Sequence, residues 1–531
     1  MAKLAKKRNK PQITGADTVV SFMEYFVTIM CMAIVALVPL YMKNAFFEIG
    51  QCKYDIYYGI TIVGLSILLV FAIVYFVLNR KNLLIQVLKM NLSITDIIVI
   101  AYLVFAILSF VFSNYKDKAW SGYAGWNMGL YAQISFVLLY FFVSRLVKDY
   151  KAILTVLMAA STFVIIFGIL NRFLIDPLGV YEGISEYYHI LFLSTLGQSS
   201  WYSSFLCVVL PIGVFAFWNS EKKSSLIITG IYVLLGFMSL VTQNSDSAYF
   251  AFVGMMLVLF WFSVEEWKKS QKFFAILFLF ALATKIIKLI CLFANTSVIV
   301  QLDTLSLFLI NGLLPWIIMG VSCLLFVAFV FGEKVRAYPV KLMKWIRNIL
   351  FGLFGIALIV AIVLLVKSVQ TGDASPWAAV PYLVWNDNWG NGRGFTWRVT
   401  WQMLKEMSLP KLLFGVGPEC YPHYGNEFYK ELIQSKWGNN VLTNAHNEWL
   451  NAVINYGILG GLSYLGIFVS GIVSCGRKAK EKPELIMVMA CVVAYMSHNL
   501  FCYQQVLCTP FIIIIMAIGQ YLIKKANKET K

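Results

Sequence analysis

The stretch TNAHNEWLNAVINYGILGGLSY (443–464) decides the fold. Its first six residues are polar and carry a lone histidine; from Trp449 it turns apolar and continues as a helix long enough to enter a bilayer. His446 is therefore expected at the start of a helix, at the membrane surface, beside Asn447 and Glu448. The rest of the chain reads the same way. Of its 531 residues, 60% are hydrophobic and 13% charged, with a mean hydropathy of +0.75, which excludes an ordinary soluble domain. Apolar runs of about 18 to 25 residues, enough to cross a hydrocarbon core roughly 30 Å thick, recur fourteen times: near 18–42, 57–79, 95–113, 127–144, 152–170, 201–218, 225–242, 247–265, 273–292, 307–332, 349–367, 447–474, 484–503 and 508–523. Lys285 and Lys288 interrupt the ninth. The expectation is an all-α polytopic integral membrane protein, with 1–531 a single membrane domain. The first span is too long for a cleaved signal and another follows it.

Basic residues set the orientation. Lys3, Lys6, Lys7, Arg8 and Lys10 place the N-terminus in the cytoplasm. Fourteen spans then put the basic turns at Arg80–Lys89, Arg145–Lys151, Lys222–Lys223, Lys268–Lys272, Lys334–Arg347 and Arg477–Lys482 inside, with the tail from Lys524. The net charge of +17 is thus mainly a topological signal, and no nucleic-acid partner is called for. The largest hydrophilic stretch, 368–446, falls outside the cytoplasmic membrane as one large extracytoplasmic loop. No inner turn is long enough for a soluble signalling or catalytic domain. The ten cysteines show no spacing suited to zinc; Cys52 and Cys420 fall outside and are expected as free thiols. No inverted repeat of the kind that marks many transporters is visible.

The outer loop has a pattern of its own. Asn386–Gly394 is turn chemistry, rich in residues that tolerate positive φ. Residues 395–408 then read as an amphipathic helix, with Trp397, Trp401 and Leu404 on one face and Arg398, Gln402 and Lys405 on the other. Pro410 is expected to end that helix, Gly415-Val416-Gly417-Pro418 to make a second tight turn, and 424–437 to form another short helix. Trp397 and Trp401 suit an interfacial aromatic belt; Trp385 and Trp389 are open between that role and platforms for sugar rings.

Three elements in order, Gly392-Arg393-Gly394-Phe395-Thr396-Trp397-Arg398, then Gly415-Val416-Gly417-Pro418, then Ala445-His446-Asn447-Glu448-Trp449-Leu450 running into Tyr456-Gly457-Ile458-Leu459-Gly460-Gly461, resemble the O-antigen ligase and O-antigen polymerase family of bacterial membrane glycosyltransferases. The specific match covers roughly residues 390–465. The resemblance implies transfer of a glycan from a polyprenyl-pyrophosphate carrier to an acceptor hydroxyl, inverting the anomeric centre, with no cofactor and no metal. It implies a polyprenyl-pyrophosphate-linked oligosaccharide, an acceptor glycan and membrane lipid as partners, with a flippase and a chain-length regulator beside them. The residues suit that chemistry. A sugar hydroxyl is a poor nucleophile, and a general base such as His446 helps by about 10²–10⁴-fold. A helix N-terminus disfavours imidazolium and keeps the base neutral. Arg393 and Arg398 offer forked donors for a departing pyrophosphate.

Bland readings stand beside these. A lone histidine at a helix start is usually a cap; Arg393 can simply stabilise its turn, although the glycines around it suggest close approach to a ligand. Arg398 can meet lipid headgroups. Gly415 and Gly417 are candidate substrate-binding turn residues, whereas Gly457 and Gly461 read as helix packing. Asn447 and Glu448 either orient His446 or bind sugar hydroxyls, with orientation favoured. The chain departs from the family at 243–247, Gln-Asn-Ser-Asp-Ser, where many members carry Ser-Arg for the pyrophosphate. Either Arg398, Arg172 or Lys285 substitutes, or Asp246 contacts acceptor hydroxyls; Asp246 capping the eighth helix is the plain alternative. His498 reads as a buried, hydrogen-bonded histidine. A transporter or flippase of lipid-linked sugars is the competing function, disfavoured because the polar chemistry collects in one loop. Polymerase is favoured over ligase.

Overall fold

The computed structural model describes residues 14–79, 92–294, 302–371 and 375–529. The basic stretch Lys3–Lys10 and the basic turn at Arg80–Lys89 lie outside them. Among the described residues, eleven helices are long and apolar enough to cross a membrane, and Leu130–Leu146, Ser247–Ser263 and Glu484–His498 are shorter apolar ones. Together they correspond one for one to the fourteen apolar runs, and the protein is an all-α polytopic membrane protein. Ser199–Asn219 and Thr509–Glu529 are the most enclosed helices and form the middle of the bundle. Val340–Thr371 lies at the rim, with Leu353, Ile356 and Ile359 exposed, as expected of a helix whose neighbours are lipid tails.

Charges inside the bundle are paired. Asp96, in the capping box that starts Ile94–Phe112, is fully buried and meets Arg145 and Lys524 at 2.9 Å each and the Tyr140 hydroxyl at 2.8 Å. A carboxylate taken out of water needs such partners, and this one ties three helices together at one end. The lysine that breaks the ninth apolar run is also satisfied. Lys285 donates to the carbonyls of Ile310 (3.1 Å) and Gly312 (2.9 Å), the C-terminal end of a short helix.

Several expectations about elements change. The run 307–332 is two helices, Thr304–Asn311 and Leu314–Val335. The thirteenth run stops being helical at His498, and the polar residues after it fold as an irregular turn. Pro410 does not end the amphipathic helix: that helix closes at Glu406, and Pro410 sits in the first turn of the next, Leu409–Phe414, where its missing N–H costs nothing.

At the end away from Asp96 the long connection between Val340–Thr371 and Glu448–Lys478 builds a second small core. Phe395, Val399, Met403 and Met407 are buried against Tyr421, Tyr424 and Ile433. The inward stripe of this helix is therefore 395/399/403, and Trp401 on the neighbouring stripe is exposed. The expected helix over 424–437 is two, Tyr421–Phe428 and Lys430–Trp437.

The Glu448–Lys478 helix is broken at Gly457 (φ 74°). Its first nine residues form a half-helix that receives the 413–417 turn: the N–H groups of Val416 and Gly417 donate to the carbonyls of Ile454 and Asn455 at 3.0 and 3.1 Å. Asn455 Oδ1 accepts from the Tyr421 N–H at 3.0 Å, and Ser109 donates to its carbonyl at 2.6 Å. Gly457 is thus a helix interruption, not only a packing glycine. A helix that opens its backbone ladder must satisfy the freed carbonyls elsewhere, and this turn supplies the donors.

Candidate functional site

His446 sits in a turn assembled by asparagines. Asn444 Oδ1 accepts the His446 N–H at 2.9 Å, Asn451 Oδ1 accepts the Ala445 N–H at 3.3 Å, and Asn447 Oδ1 caps the half-helix through the N–H groups of Trp449 and Leu450 at 3.0 and 3.1 Å. Held this way, His446 adopts φ 46°, a left-handed conformation uncommon for a residue with a side chain and often found at functional sites. Its ring meets the Tyr503 ring edge-on at 5.3 Å. Among the described residues neither ring nitrogen is hydrogen-bonded. Burial first, and the Arg393 guanidinium second, push the imidazole down to about 3, so it is neutral.

Arg393 is delivered by three successive left-handed residues, Gly390, Asn391 and Gly392 (φ 59°, 59° and 84°). At Gly392 a side chain would strike Trp437 at 2.5 Å. The guanidinium donates from Nε to the Phe501 carbonyl (3.0 Å) and from Nη1 to the Gly390 carbonyl (2.7 Å), leaving Nη2 without a protein partner among the described residues. Burial lowers its pKa.

Both groups therefore rest on one segment, 499–505, whose first five residues fall in the thirteenth apolar run, 484–503. Phe501 holds Arg393 and Tyr503 faces His446. The Gln504 N–H donates to the Glu448 carboxylate, and the Asn499 carbonyl accepts the Glu448 N–H at 2.9 Å. The available signal was composition: Asn499 inside that run is costly in a lipid-facing helix, and Gln504 and Gln505 follow it directly. Phe501 also stacks on Trp397 (6.0 Å, 17°), which meets Trp389 and Trp385 at 5.4 and 5.7 Å. Trp397 and the two open tryptophans thus form one aromatic cluster beside Arg393.

Next to His446 lies a narrow cleft walled by Trp126, Tyr503, Glu419, Glu448, Asn451 and Gln504. Glu419 reaches it from a left-handed position (φ 55°), its carboxyl accepting the N–H groups of Tyr123 (2.9 Å) and Met128. Burial pushes Glu419 up to about 8.

The remaining candidates fall as follows. Asn447 spends its side-chain oxygen on the helix cap and Glu448 accepts from Gln504, so neither bonds to the His446 ring. Gly415 faces the half-helix backbone, and Gly417 donates its N–H to it while its open side lies against Ser113 and Cys420. Arg398 is exposed and pairs with Asp387 at 2.7 and 3.0 Å. Arg172 is buried on the carbonyls of Thr242 (2.6 Å) and Ile190 (3.1 Å). All three cations considered for the missing family arginine thus have protein partners already. Asp246 makes no cap to its own helix; it accepts from the Tyr382 hydroxyl (3.0 Å) and the Leu305 N–H (3.3 Å). Burial and the neighbouring Asp246 raise Asp303 to about 7. His498 is buried, with Ser203 and Ser247 on Nε2 at 2.9 and 3.1 Å and Asn499 on Nδ1 at 3.1 Å.

Comparison with curated proteins finds no match. Residues 298–465 match the family described as O-antigen ligase, a region that contains Arg393, the Gly415–Gly417 turn, His446 and the break at Gly457. Over that region the chain is similar to the O-antigen ligase family.

Proposed function

We propose that the protein transfers an oligosaccharide from a polyprenyl-pyrophosphate carrier to an acceptor hydroxyl at the outer face of the cytoplasmic membrane, with both termini in the cytoplasm and inversion at the anomeric carbon. The match of residues 298–465 to the O-antigen ligase family supports membrane glycosyltransfer in surface polysaccharide synthesis. The observation that carries the finer reading is a neutral imidazole and an arginine with an unused Nη2, held by neighbouring residues of one turn.

In this reading His446 takes the proton of the acceptor hydroxyl as its oxygen attacks the anomeric carbon. The bond from that carbon to the carrier phosphate breaks, and its electron pair leaves with the pyrophosphate against Arg393. Fixed donors aimed at developing charge are worth about 2.7–4 kcal/mol each in well-studied active sites. A base held as low as about 3 is weak; burial is the larger cause, and the donor acts on the lesser one. Pyrophosphate bound at Arg393 offsets the positive charge beside the ring and raises its basicity. The tryptophan cluster beside Arg393 suits the lipid end of the donor, as aromatic rings do at headgroup level. Asp246 with Tyr382, and Arg398 with Asp387, remain candidate substrate contacts at the edge of the site. We favour a second carrier-linked repeat as acceptor, which makes the enzyme a polymerase. The test is transfer by purified protein from lipid-linked donor: His446→Ala should fold, bind donor and lose at least a hundredfold in rate. A rate within threefold of wild type would remove His446 as the base.

A further inference from the structure

His498 is a fully buried histidine that the transfer chemistry does not use. It ends the helix Glu484–His498, and burying a polar ring among apolar helices is costly unless the ring is bonded. Its partners come from two other helices and from the turn that follows. The hydroxyls of Ser203, in Ser199–Asn219, and of Ser247, at the start of Ser247–Ser263, lie 2.9 and 3.1 Å from Nε2. The Asn499 side chain lies 3.1 Å from Nδ1. A phenyl ring would fill much the same space with nothing to satisfy. What the imidazole adds is direction, because partners on both of its edges fix the ring in a way that packing alone does not.

The same residue begins the turn on which the site rests. The His498 carbonyl accepts the Phe501 N–H at 3.0 Å, and the Phe501 carbonyl accepts Arg393 Nε at 3.0 Å. The Asn499 carbonyl accepts the Glu448 N–H at 2.9 Å, which ties the turn to the half-helix directly after His446. Among the described residues the His498 ring bonds to neither Arg393 nor His446. We propose that His498 is a positioning residue for transfer: held by Ser203 and Ser247, it sets where the Phe501 carbonyl lies and so where Arg393 stands relative to His446. This rests on the transfer reaction proposed above. A misplacement of about 1 Å at a reacting centre can cost about a hundredfold in rate, so a pin two hydrogen bonds from the guanidinium can govern turnover without touching substrate.

The test is steady-state transfer by the purified full chain from lipid-linked donor, with thermal midpoints measured beside it. His498→Phe keeps bulk and removes the ring's bonds. Its kcat should fall at least tenfold, with KM for the donor within threefold of wild type. His498→Gln, whose amide can still meet both serines, should stay within fivefold. The double variant Ser203→Ala/Ser247→Ala leaves the imidazole in place but frees it. It should lose about as much turnover as His498→Phe, and it carries the test if His498→Phe does not fold. A merely structural role is separated by a double-mutant cycle. In an Arg393→Ala background His498→Phe should cost less than threefold, because the group it positions is gone, whereas a general loss of stability would cost the same tenfold. Turnover within threefold of wild type in both His498→Phe and the serine double variant would overturn the proposal, as would an equal loss with and without Arg393. Loss of transfer in Arg393→Ala beside an unchanged His498→Phe sinks the positioning role alone. Arg393→Ala at the wild-type rate sinks the transfer reading, and the positioning role with it.

Discussion

Gly415 and Gly457 meet backbone to backbone. A side chain on Gly415 would lie 2.2 Å from the Asn455 carbonyl oxygen, and one on Gly457 would lie 2.1 Å from the Leu413 carbonyl oxygen. Both residues are also left-handed, at φ 82° and 74°. The contact positions catalysis without taking part in it, because the half-helix it locks begins at Glu448, directly after the His446 turn. Gly457→Ala therefore meets main chain, which cannot step aside as a flexible side chain does, and adds backbone strain of about 1–3 kcal/mol. The expected result is a clear fall in thermal midpoint, with transfer lost although His446 and Arg393 are intact. A variant with wild-type midpoint and rate would show that the two segments do not dock this way.

Asn447→Ala should behave differently. Its side chain caps two N–H groups of the half-helix and does not touch the imidazole, so its loss costs about 1 kcal/mol of stability. Transfer should fall by less than tenfold, well short of the loss in His446→Ala. A hundredfold fall in rate at unchanged stability would instead make Asn447 a partner of the substrate.

The fourteen spans were legible because the bilayer imposes a length and a composition that no local contact can override. Arg393 and His446 were legible because each sits where polar chemistry abuts turn glycines or an apolar run. The 499–505 segment was not. Leu500, Phe501 and Cys502 keep that stretch apolar enough to extend the preceding span, and only the fold shows Phe501 and Tyr503 turned to different sides of one site. Glu419 was invisible for a related reason. Its role depends on the Tyr123 and Met128 N–H groups, nearly three hundred residues away. The inward stripe of the Trp389–Glu406 helix was not read from the sequence, because tryptophan outweighs valine and methionine in an amphipathic reading, yet Phe395, Val399 and Met403 are the residues that the small core buries.

Glu419 gives a pH signature with a definite sign. Its carboxyl has an ordinary value near 4.5 when unfolded and is raised to about 8 in the fold. The unfolded chain thus releases this proton first. Its stabilising contribution is complete below pH 4.5 and declines as pH rises toward 8. Glu419→Gln keeps an oxygen for the Tyr123 and Met128 N–H groups and has no proton to lose. The variant should match wild type near pH 5 and exceed its thermal midpoint by a few degrees at pH 8. A midpoint at pH 8 below that of wild type would mean that the carboxylate is stabilised by something the glutamine cannot replace.

Arg393 tests whether shape or charge handles the leaving group. Two of its nitrogens are committed to the carbonyls of Phe501 and Gly390, and Nη2 remains for a phosphate oxygen. A lysine carries the same charge on one nitrogen. It can hold the Phe501 turn or reach the phosphate, but it cannot span both in a fixed plane. Arg393→Lys is therefore expected to lose most of the transfer rate, at least thirtyfold, and to approach Arg393→Ala. Its effect should fall on turnover at saturating donor more than on donor binding, because the charge that needs stabilising develops as the carrier departs. Rate and donor affinity measured together for both variants decide the matter. If lysine restores turnover to within threefold of wild type, the site needs only a positive charge, and the anchoring of Arg393 on the Phe501 carbonyl is structural.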